Sequence, residues 1–173
     1  MSEAIMKKAS RPDAVGVRLA TPADAAVISE ILLAAFGEYR SLYTPESFAI
    51  VTPGPDEIVN RFDEGPQWVA LIDHEIVATV SVTDEPEGLY IRSMAVRPLV
   101  QGTGVGHKLL AAIDEYTAGT DATRVFLYTT YFGTGARELY EKRGFRWVRD
   151  TTADEWYGTP GLEMEKIIER TSK

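Results

Sequence analysis

"MAVRPLVQGTGVGHKLL", residues 94–110, places glycines at positions 102, 104 and 106, where a β-rich segment ends and an apolar helical repeat begins. Glycine is unfavourable inside helices and strands, so three of them at such a junction indicate a special backbone path. The first N–H groups of a helix have no intrahelical acceptor and carry the positive end of the helix dipole. The stretch therefore predicts a main-chain pocket for an anion such as a pyrophosphate or, alternatively, only a tight turn.

Two common nucleotide-binding patterns do not fit this glycine spacing. A P-loop follows G-x-x-x-x-G-K-S/T, and His107-Lys108 does not supply its ending. A dinucleotide-binding fingerprint is G-x-G-x-x-G after the first strand, whereas this G-x-G-x-G follows roughly the fourth predicted strand. The spacing excludes both patterns.

Outward from this stretch, apolar periodicity predicts a mixed α/β domain with a central sheet. The predicted order is β α α β β β α β α β β, in which the second α is a segment broken at Pro53-Gly54-Pro55. A hairpin turns at Asp73-His74, and Gly144 ends the last helix in a left-handed cap. A strand–helix–strand crossover over residues 90–130 implies one parallel strand pair in an otherwise antiparallel sheet.

Helix starts are predicted from capping residues. Thr21, Pro22 and Asp24 predict the start of the first long helix, and Thr134 is the predicted cap of the last one. The polar stretch 151–160 is predicted to be a loop between the last two strands. The strands are predicted at 15–20, 67–73, 75–85, 89–96, 124–130, 145–150 and 162–168.

Length and composition limit the function classes. The 173 residues suit a single domain, predicted over 15–173, after a flexible tail at 1–14. A net charge of −8 without Lys/Arg runs argues against a nucleic-acid partner. Cysteine is absent and the histidines, His74 and His107, are far apart, so no metal site or Cys nucleophile is predicted. No signal sequence or membrane-length apolar segment is evident, so we expect a cytoplasmic protein with no membrane partner.

Four segments in order resemble the GNAT superfamily of N-acetyltransferases. Residues 94–110 resemble its acyl-CoA-binding motif, Q/R-x-x-G-x-G/A, with Gln101, Gly104 and Gly106 at the three motif positions. The supporting segments are "ARELYEKRGF" at 136–145, "VRLATPADA" at 17–25 and the hairpin "WVALIDHEIVATV" at 68–80. The resemblance spans about 15–168, and it implies a central, mostly antiparallel twisted sheet with one splayed parallel strand pair, flanked by helices.

The resemblance implies acetyl-CoA as the cosubstrate. Strand 93–96 would splay from strand 124–130, the pantetheine arm would pair with the main chain beside it, and the pyrophosphate would lie on the glycine-rich amides. An N–H near Met94 would be the donor to the carbonyl oxygen during reaction. The implied cofactor-binding residues are Met94, Ala95, Val96, Gln101, Gly102, Thr103, Gly104, Val105, Gly106, Gly133, Thr134 and Tyr140.

One position departs from the family pattern. Many relatives carry Asn three residues before the alanine that matches Ala136, and this chain has Gly133 there. A polar contact to the cofactor or thioester is therefore either absent or made by Thr134 or Thr130.

The resemblance also proposes catalytic and acceptor residues. Tyr140 is the candidate general acid, because a phenol of pKa about 10 can protonate a leaving thiolate of pKa about 8.5. A tyrosine beside Leu139 on an amphipathic helix could equally be a core residue. Glu38 is the first choice of general base, and the His107 side chain is expected to be exposed. The proposed acceptor pocket contains Tyr39, Tyr43, Tyr90 and Tyr128.

The sequence therefore predicts an N-acetyltransferase that moves an acetyl group to a primary amine of a small molecule, amino acid or peptide. Direct attack in a ternary complex is expected, because no cysteine is present to carry the acyl group. The alternatives are a non-catalytic acyl-CoA-binding sensor with the same fold and a nucleotide-binding phosphotransferase. Many relatives dimerise, so a homodimer stays open.

Overall fold

A computed structural model describes residues 15–170; the predicted tail at 1–14 lies outside the described residues. In chain order, the elements are β1 Val15–Leu19, α1 Ala25–Gly37, α2 Pro45–Val51, α3 Pro55–Arg61, β2 Gln67–Ile72, β3 Glu75–Glu85, β4 Gly88–Val96, α4 Val105–Ala118, β5 Arg124–Thr130, α5 Thr134–Lys142, β6 Arg146–Thr151 and β7 Gly161–Ile167. The strands form one seven-stranded sheet in the order β1-β2-β3-β4-β5-β7-β6. Only β4 and β5 are parallel among these strands, which confirms the predicted fold class. Within residues 15–170, no helix is both long and apolar enough to cross a bilayer.

The parallel pair separates soon after it begins. Leu89 and Tyr90 pair with Val125 and Phe126, and the β4–β5 ladder ends there. The opposite edge of β5 stays paired with β7 from Arg124 to Thr130. The sheet therefore opens into a V between the second halves of β4 and β5, as the resemblance implies.

A β-bulge marks β4 at this opening. Ala95 pairs with Thr79 and Arg92 with Ser81, so two residues of β4, Ser93 and Met94, face one residue of β3. Ser93 has φ +58°, in the left-handed region that a non-glycine residue adopts at a cost of about 1–3 kcal/mol. Such strain persists where surrounding structure holds it, and it concentrates at functional sites. No pattern in the sequence indicates this bulge.

Helices cover both faces of the sheet. On one face, α4 buries Leu109, Leu110 and Ile113 against the larger apolar cluster. On the other face, α1 and α3 bury Ile31 and Ile58 in a second cluster that includes Val69 and Ala95. Alternate residues of a strand point to opposite faces, which is why neighbouring β2 and β4 positions belong to different clusters. The sheet that carries the splayed strands is therefore covered by packed helices on both faces.

Two predicted helix starts shift. Thr21 caps a 3₁₀ turn at Pro22–Asp24, and α1 begins after that turn, at Ala25, with Asp24 as its N-cap. The carboxylate of Asp24 accepts a hydrogen bond from the Thr21 N–H at 2.8 Å, as the capping pattern predicts. The last helix begins at Thr134 itself, with Gly133 as its N-cap, so Thr134 is not the cap. Gly144 has φ +93° and ends this helix as predicted. The polar loop contains a 3₁₀ turn at Asp154–Trp156, which the sequence did not indicate.

Candidate active site

The opening between β4 and β5 is a cavity of about 530 Å³. Its walls come from the end of α1, from α2, from the end of α3, from the bulged half of β4, from the glycine-rich turn, from β5 and α5, and from the 3₁₀ turn before β7. One half of the wall is mostly main chain and the other half is mostly side chains. We call the first the donor half; it consists of residues 94–106 and α5. We call the second the acceptor half; it consists of the side chains of Tyr39, Tyr43, Arg61, Tyr90, Arg92, Tyr128, Phe132 and Trp156.

The glycine-rich turn forms an anion cradle at the start of α4. Gly102 and Gly104 have φ +79° and +89°, a backbone path that a side chain would strain. The Lys108 N–H donates to the Gly104 carbonyl at 3.2 Å. Residues 105–107 precede that bond, so their N–H groups lack intrahelical acceptors. The side chain of Gln101 turns back and donates to the Val96 carbonyl at 3.1 Å, joining the turn to β4.

Gly106 allows α5 to approach the start of α4. A Cβ at this position would lie 2.6 Å from Cδ2 of Leu139, so a side chain there would displace the Leu139 side chain of α5. This close approach brings Tyr140, one residue further along α5, to the wall of the same cavity. The third glycine therefore leaves room for the Leu139 side chain, whereas the first two are favoured by backbone conformation.

The free edge of β4 provides the second part of the donor half. Met94, Ala95 and Val96 line the cavity. Their edge toward β5 has no strand partner within residues 15–170, because the β4–β5 ladder ends at Tyr90. Main-chain donors and acceptors on this edge are therefore available to an extended ligand, as in strand addition.

Two predicted cofactor-binding side chains stand away from the wall. The Thr103 hydroxyl donates to the Val100 carbonyl, and Thr134 is exposed at the first position of α5. Gly133 lines the cavity, and a Cβ built on it would lie 3.2 Å from the Thr130 hydroxyl oxygen. Thr130 thus occupies the space beside the missing Asn, so it is better placed than Thr134 to replace that contact.

Tyr140 is a buried, protonated phenol on the cavity wall. Its side chain packs edge-on against Phe145 with ring centroids 5.8 Å apart, and the residue is 5% exposed. Burial, together with the nearby Tyr90, raises the pKa of Tyr140 above its usual value. The side chain is therefore a core residue that also lies on the cavity wall. Its role as general acid stays a prediction.

The four predicted acceptor tyrosines all line the cavity, in two aromatic groups. Tyr39 and Tyr43 lie 5.6 and 4.9 Å from Phe132, between ring centroids. Tyr90 and Tyr128 lie 5.7 Å apart, and Trp156 lies 5.5 Å from Tyr128. Burial raises the pKa of Tyr43 and of Tyr90 to about 12. Phe132 and Trp156 were not predicted, since both lie in connections between regular elements.

Two arginines complete the acceptor half, and neither was predicted. Arg61, the last residue of α3, lines the cavity and donates from Nη1 to the Ser93 hydroxyl oxygen at 3.1 Å. Arg92 lines the cavity from β4, beside the bulge. Burial, and then the positive charge of Arg92, lowers the pKa of Arg61 from its usual value, while the guanidinium stays charged.

The predicted base lies outside this wall. Glu38 is exposed just after α1 and does not line the cavity, although the adjacent Tyr39 does. Glu138 is the carboxylate that does line it, on α5. His107, expected to be exposed, is half-buried and also lines the cavity. No group of three His, Asp or Glu residues within 15–170 is close enough together to hold a metal ion.

Comparisons with known proteins agree with this geometry. The acetyltransferase (GNAT) family matches residues 35–145. A PaiA N-acetyltransferase from Thermoplasma acidophilum, solved with coenzyme A, is 16% identical, with a TM-score of 0.75 over 89% of this chain and 99% of its own. YncA from Salmonella typhimurium, described as a putative acetyltransferase with acetyl-CoA, is 18% identical, with a TM-score of 0.71 over 92% and 97%.

A third solved structure is an IAA acetyltransferase from Bacillus cereus. It is 18% identical, with a TM-score of 0.67 over 89% of this chain and 99% of its own. At these identities the three likenesses establish the fold. The comparison with curated proteins finds no match.

Proposed function

The chain belongs to the GNAT family of acetyltransferases, and on this premise we propose that it is an N-acetyltransferase that moves the acetyl group of acetyl-CoA to a primary amine. The acceptor is a small molecule, an amino acid or a peptide, and it attacks directly in a ternary complex. Residues 15–173 act as one domain. A homodimer and a cytoplasmic location stay predictions.

One observation carries the proposal: the free edge of β4, the glycine-rich cradle and the Tyr140 phenol lie on the wall of one cavity. The free edge accommodates the pantetheine arm as an added strand, and the cradle accommodates the pyrophosphate. Acetyl-CoA is the cosubstrate that the sequence predicts. The neighbours solved with coenzyme A or acetyl-CoA support the same choice.

The chain's own groups then perform three tasks. Acetyl-CoA supplies the thioester carbonyl that the amine attacks. Main-chain N–H groups near Met94, held by the bulge at Ser93, stabilise the negative charge that develops on the carbonyl oxygen. As the C–N bond forms and the C–S bond breaks, the Tyr140 O–H donates its proton to the departing sulfur. The phenol is suited to this step because its raised pKa keeps it protonated at working pH.

The acceptor amine must be neutral to attack and must lose a further proton as the amide forms. Glu38 stays the proposed base, but its exposed position outside the wall requires water to carry that proton. Glu138 lies on the wall and offers a second route. The variants Glu38→Gln and Glu138→Gln distinguish the two candidate bases. We expect kcat to fall only in the variant that lacks the carboxylate that accepts the proton.

A thermal-shift assay tests the donor assignment first. We expect acetyl-CoA and desulfo-CoA to raise the melting temperature, and ATP and NAD to leave it unchanged. A ligand at 100 times its Kd stabilises the folded state by about 2.7 kcal/mol, which is several degrees for a domain of this size. No shift with either CoA compound at millimolar concentration would contradict the proposal.

The acyl transfer itself is tested by release of free thiol from acetyl-CoA in the presence of a panel of primary amines. We expect amine-dependent thiol release together with formation of the acetylated amine, detected by mass spectrometry. CoA binding without release for any amine in the panel would remove the catalytic part of the proposal and leave only the binding part.

A further inference from the structure

We propose that the acceptor carries a carboxylate, which binds at Arg61 and Arg92, and an apolar or aromatic side chain, which binds the aromatic groups of the acceptor half. The acceptor class is then a free amino acid. This inference rests on the proposed function, because it assigns the other substrate of the same cavity. It is carried by the placement of two arginines, Arg61 and Arg92, beside the aromatic groups of the acceptor half.

Arg61 is a largely buried cation with spare donors. Its side chain is 11% exposed, and its contacts are the Ser93 hydroxyl oxygen at 3.1 Å and the Glu57 carboxylate at 3.4 Å. Glu57 is itself more than half exposed, so water screens that ion pair. A guanidinium has five N–H donors, and these contacts engage two of them within residues 15–170. Burying a charge is unfavourable unless it is well paired, which leaves a role for an anionic ligand.

Arg92 adds a second positive charge to the same wall. It pairs with Glu64, whose side chain is also more than half exposed, and its buried Nε has no hydrogen-bond partner within residues 15–170. Burial first, and then the charge of Arg92, disfavours the charged form of Arg61 and lowers its pKa. Two like charges directed to one cavity repel each other, and a bound carboxylate would relieve this repulsion.

The position of this pair suits an acceptor whose amine and carboxylate are close together. Arg61 bonds to Ser93, and Ser93 is the bulge residue beside Met94, where the thioester carbonyl would lie. A carboxylate on Arg61 therefore holds the rest of a small molecule next to the reacting carbonyl. Pre-orientation of this kind is a large contribution to the rate of a two-substrate reaction.

The aromatic groups define the rest of the acceptor. Tyr90 stacks on Phe126 with ring centroids 5.2 Å apart, and Tyr128 and Trp156 continue the same surface. Phe132 with Tyr39 and Tyr43 forms the facing surface. A polyamine acceptor would need a carboxylate beside these surfaces. The lining carboxylate is that of Glu138 on α5, in the donor half, so an uncharged side chain fits the aromatic surfaces best.

Direct binding tests the subsite independently of catalysis. The protein is saturated with desulfo-CoA and titrated by calorimetry with 3-phenylpropanoate and with 3-phenylpropanol, which differ in the anionic group. We expect the carboxylate to bind at least tenfold more tightly. Arg61→Met should weaken carboxylate binding by about tenfold or more and leave the alcohol within twofold, and Arg61→Lys should restore part of the difference.

Arg146→Met is the matched control, because Arg146 is an exposed arginine on β6 outside the cavity wall. We expect it to change neither affinity. Equal binding of the two probes by the unsubstituted protein would overturn the inference, and so would an Arg61→Met variant that folds and binds the carboxylate normally. In either case Arg61 only supports the bulge at Ser93.

An activity arm separates this inference from the proposed function. We compare phenylalanine with phenethylamine, which lacks the carboxylate, and expect kcat/KM to be at least tenfold higher for phenylalanine. That preference should disappear in Arg61→Met. Equal kcat/KM for the two amines would overturn the carboxylate subsite while the acetyltransferase activity stands. Selective carboxylate binding without any acetyl transfer would support the subsite while the proposed function fails.

Discussion

The donor half and the acceptor half of the cavity are built by opposite means. The donor half uses the main chain of one contiguous stretch, residues 94–106, and joins it to α5. The acceptor half uses side chains from five separated parts of the chain: Tyr39 and Tyr43, Arg61, Tyr90 and Arg92, Tyr128 and Phe132, and Trp156. A main-chain site depends on backbone path and on the absence of Cβ atoms, whereas a side-chain site depends on residue identity. Substitutions in the two halves should therefore affect different kinetic constants.

Tyr140→Phe gives the largest expected effect, because this residue is the proposed general acid. Removing the O–H removes the proton donor to the sulfur, and general acid catalysis contributes about 100- to 10,000-fold. We expect kcat to fall by that range while the Kd of desulfo-CoA, measured by calorimetry, stays within twofold.

The pH profile of the unsubstituted protein provides the check on this assignment. Burial raises the pKa of Tyr140, so its acid form is retained as the pH rises. We expect kcat/KM to rise with pH as the acceptor amine loses its proton, with no fall from Tyr140 ionisation below about pH 10. If the kcat of Tyr140→Phe were close to that of the unsubstituted protein, Tyr140 would not be the general acid.

Gly104→Ala probes the donor half by its backbone alone. Gly104 has φ +89°, and a Cβ there would contact nothing within 4 Å, so the substitution strains the backbone without a clash. Left-handed backbone costs a non-glycine residue about 1–2 kcal/mol, and relaxing that strain moves the amides of the cradle. We expect roughly tenfold weaker binding of desulfo-CoA and an unchanged preference among acceptor amines.

Gly37→Ala is the control for this prediction. Gly37 ends α1, has no positive φ and no neighbour within 4 Å of a built Cβ. We expect unchanged CoA affinity and a small gain in helix stability. If Gly104→Ala altered the preference among amines instead of CoA affinity, the division into two halves would be wrong.

The donor half could be predicted from the sequence because its determinants are local. The glycine spacing at 102–106, the apolar repeat of α4 and the segment at 136–145 each act within a few residues, and their order along the chain indicated the fold. The family match at 35–145 confirms the resemblance to the GNAT family. The role of Gly106 in allowing α5 to approach was beyond this reasoning, because the contact with Leu139 joins residues far apart in sequence.

The acceptor half was predicted only in part, because its residues meet across long separations. The tyrosines were found through the family resemblance, but Arg61 meets Ser93 across 32 positions and no local pattern indicates that contact. The left-handed conformation of Ser93 has no sequence signal either, since serine rarely adopts it. Glu38 lies just after α1, where the resemblance implies the acceptor pocket, but neighbouring residues at the end of a helix point in different directions.

Trp156→Ala probes the acceptor half, with Trp147→Ala as the matched control. Trp156 lies on the cavity wall 5.5 Å from Tyr128, whereas Trp147 is 52% exposed on β6. An aromatic contact contributes about 0.5–1.5 kcal/mol, which corresponds to about two- to twelvefold in affinity. We expect the KM for the acceptor to rise by that factor in Trp156→Ala and not in Trp147→Ala. The Kd of desulfo-CoA should stay unchanged in both, and a loss of CoA affinity in Trp156→Ala would contradict the division.

Asp24→Asn has the smallest expected effect, and it affects stability without affecting either half. Asp24 accepts hydrogen bonds from the Thr21 N–H and from Arg18 at the start of α1. Arg18 is half-exposed, so water screens the ion pair and most of the loss is that of a helix cap, about 1 kcal/mol at pH 7. The hydrogen bond from Arg18 is the main cause that lowers the pKa of Asp24 from its ordinary 3.8.

The Asp24 carboxylate therefore stabilises the folded state above pH 3.8, and this contribution is lost as the pH falls through the lowered pKa. Urea unfolding at pH 7 and at successively lower pH should show the difference between Asp24→Asn and the unsubstituted protein shrinking, while KM and the Kd of CoA at pH 7 stay constant.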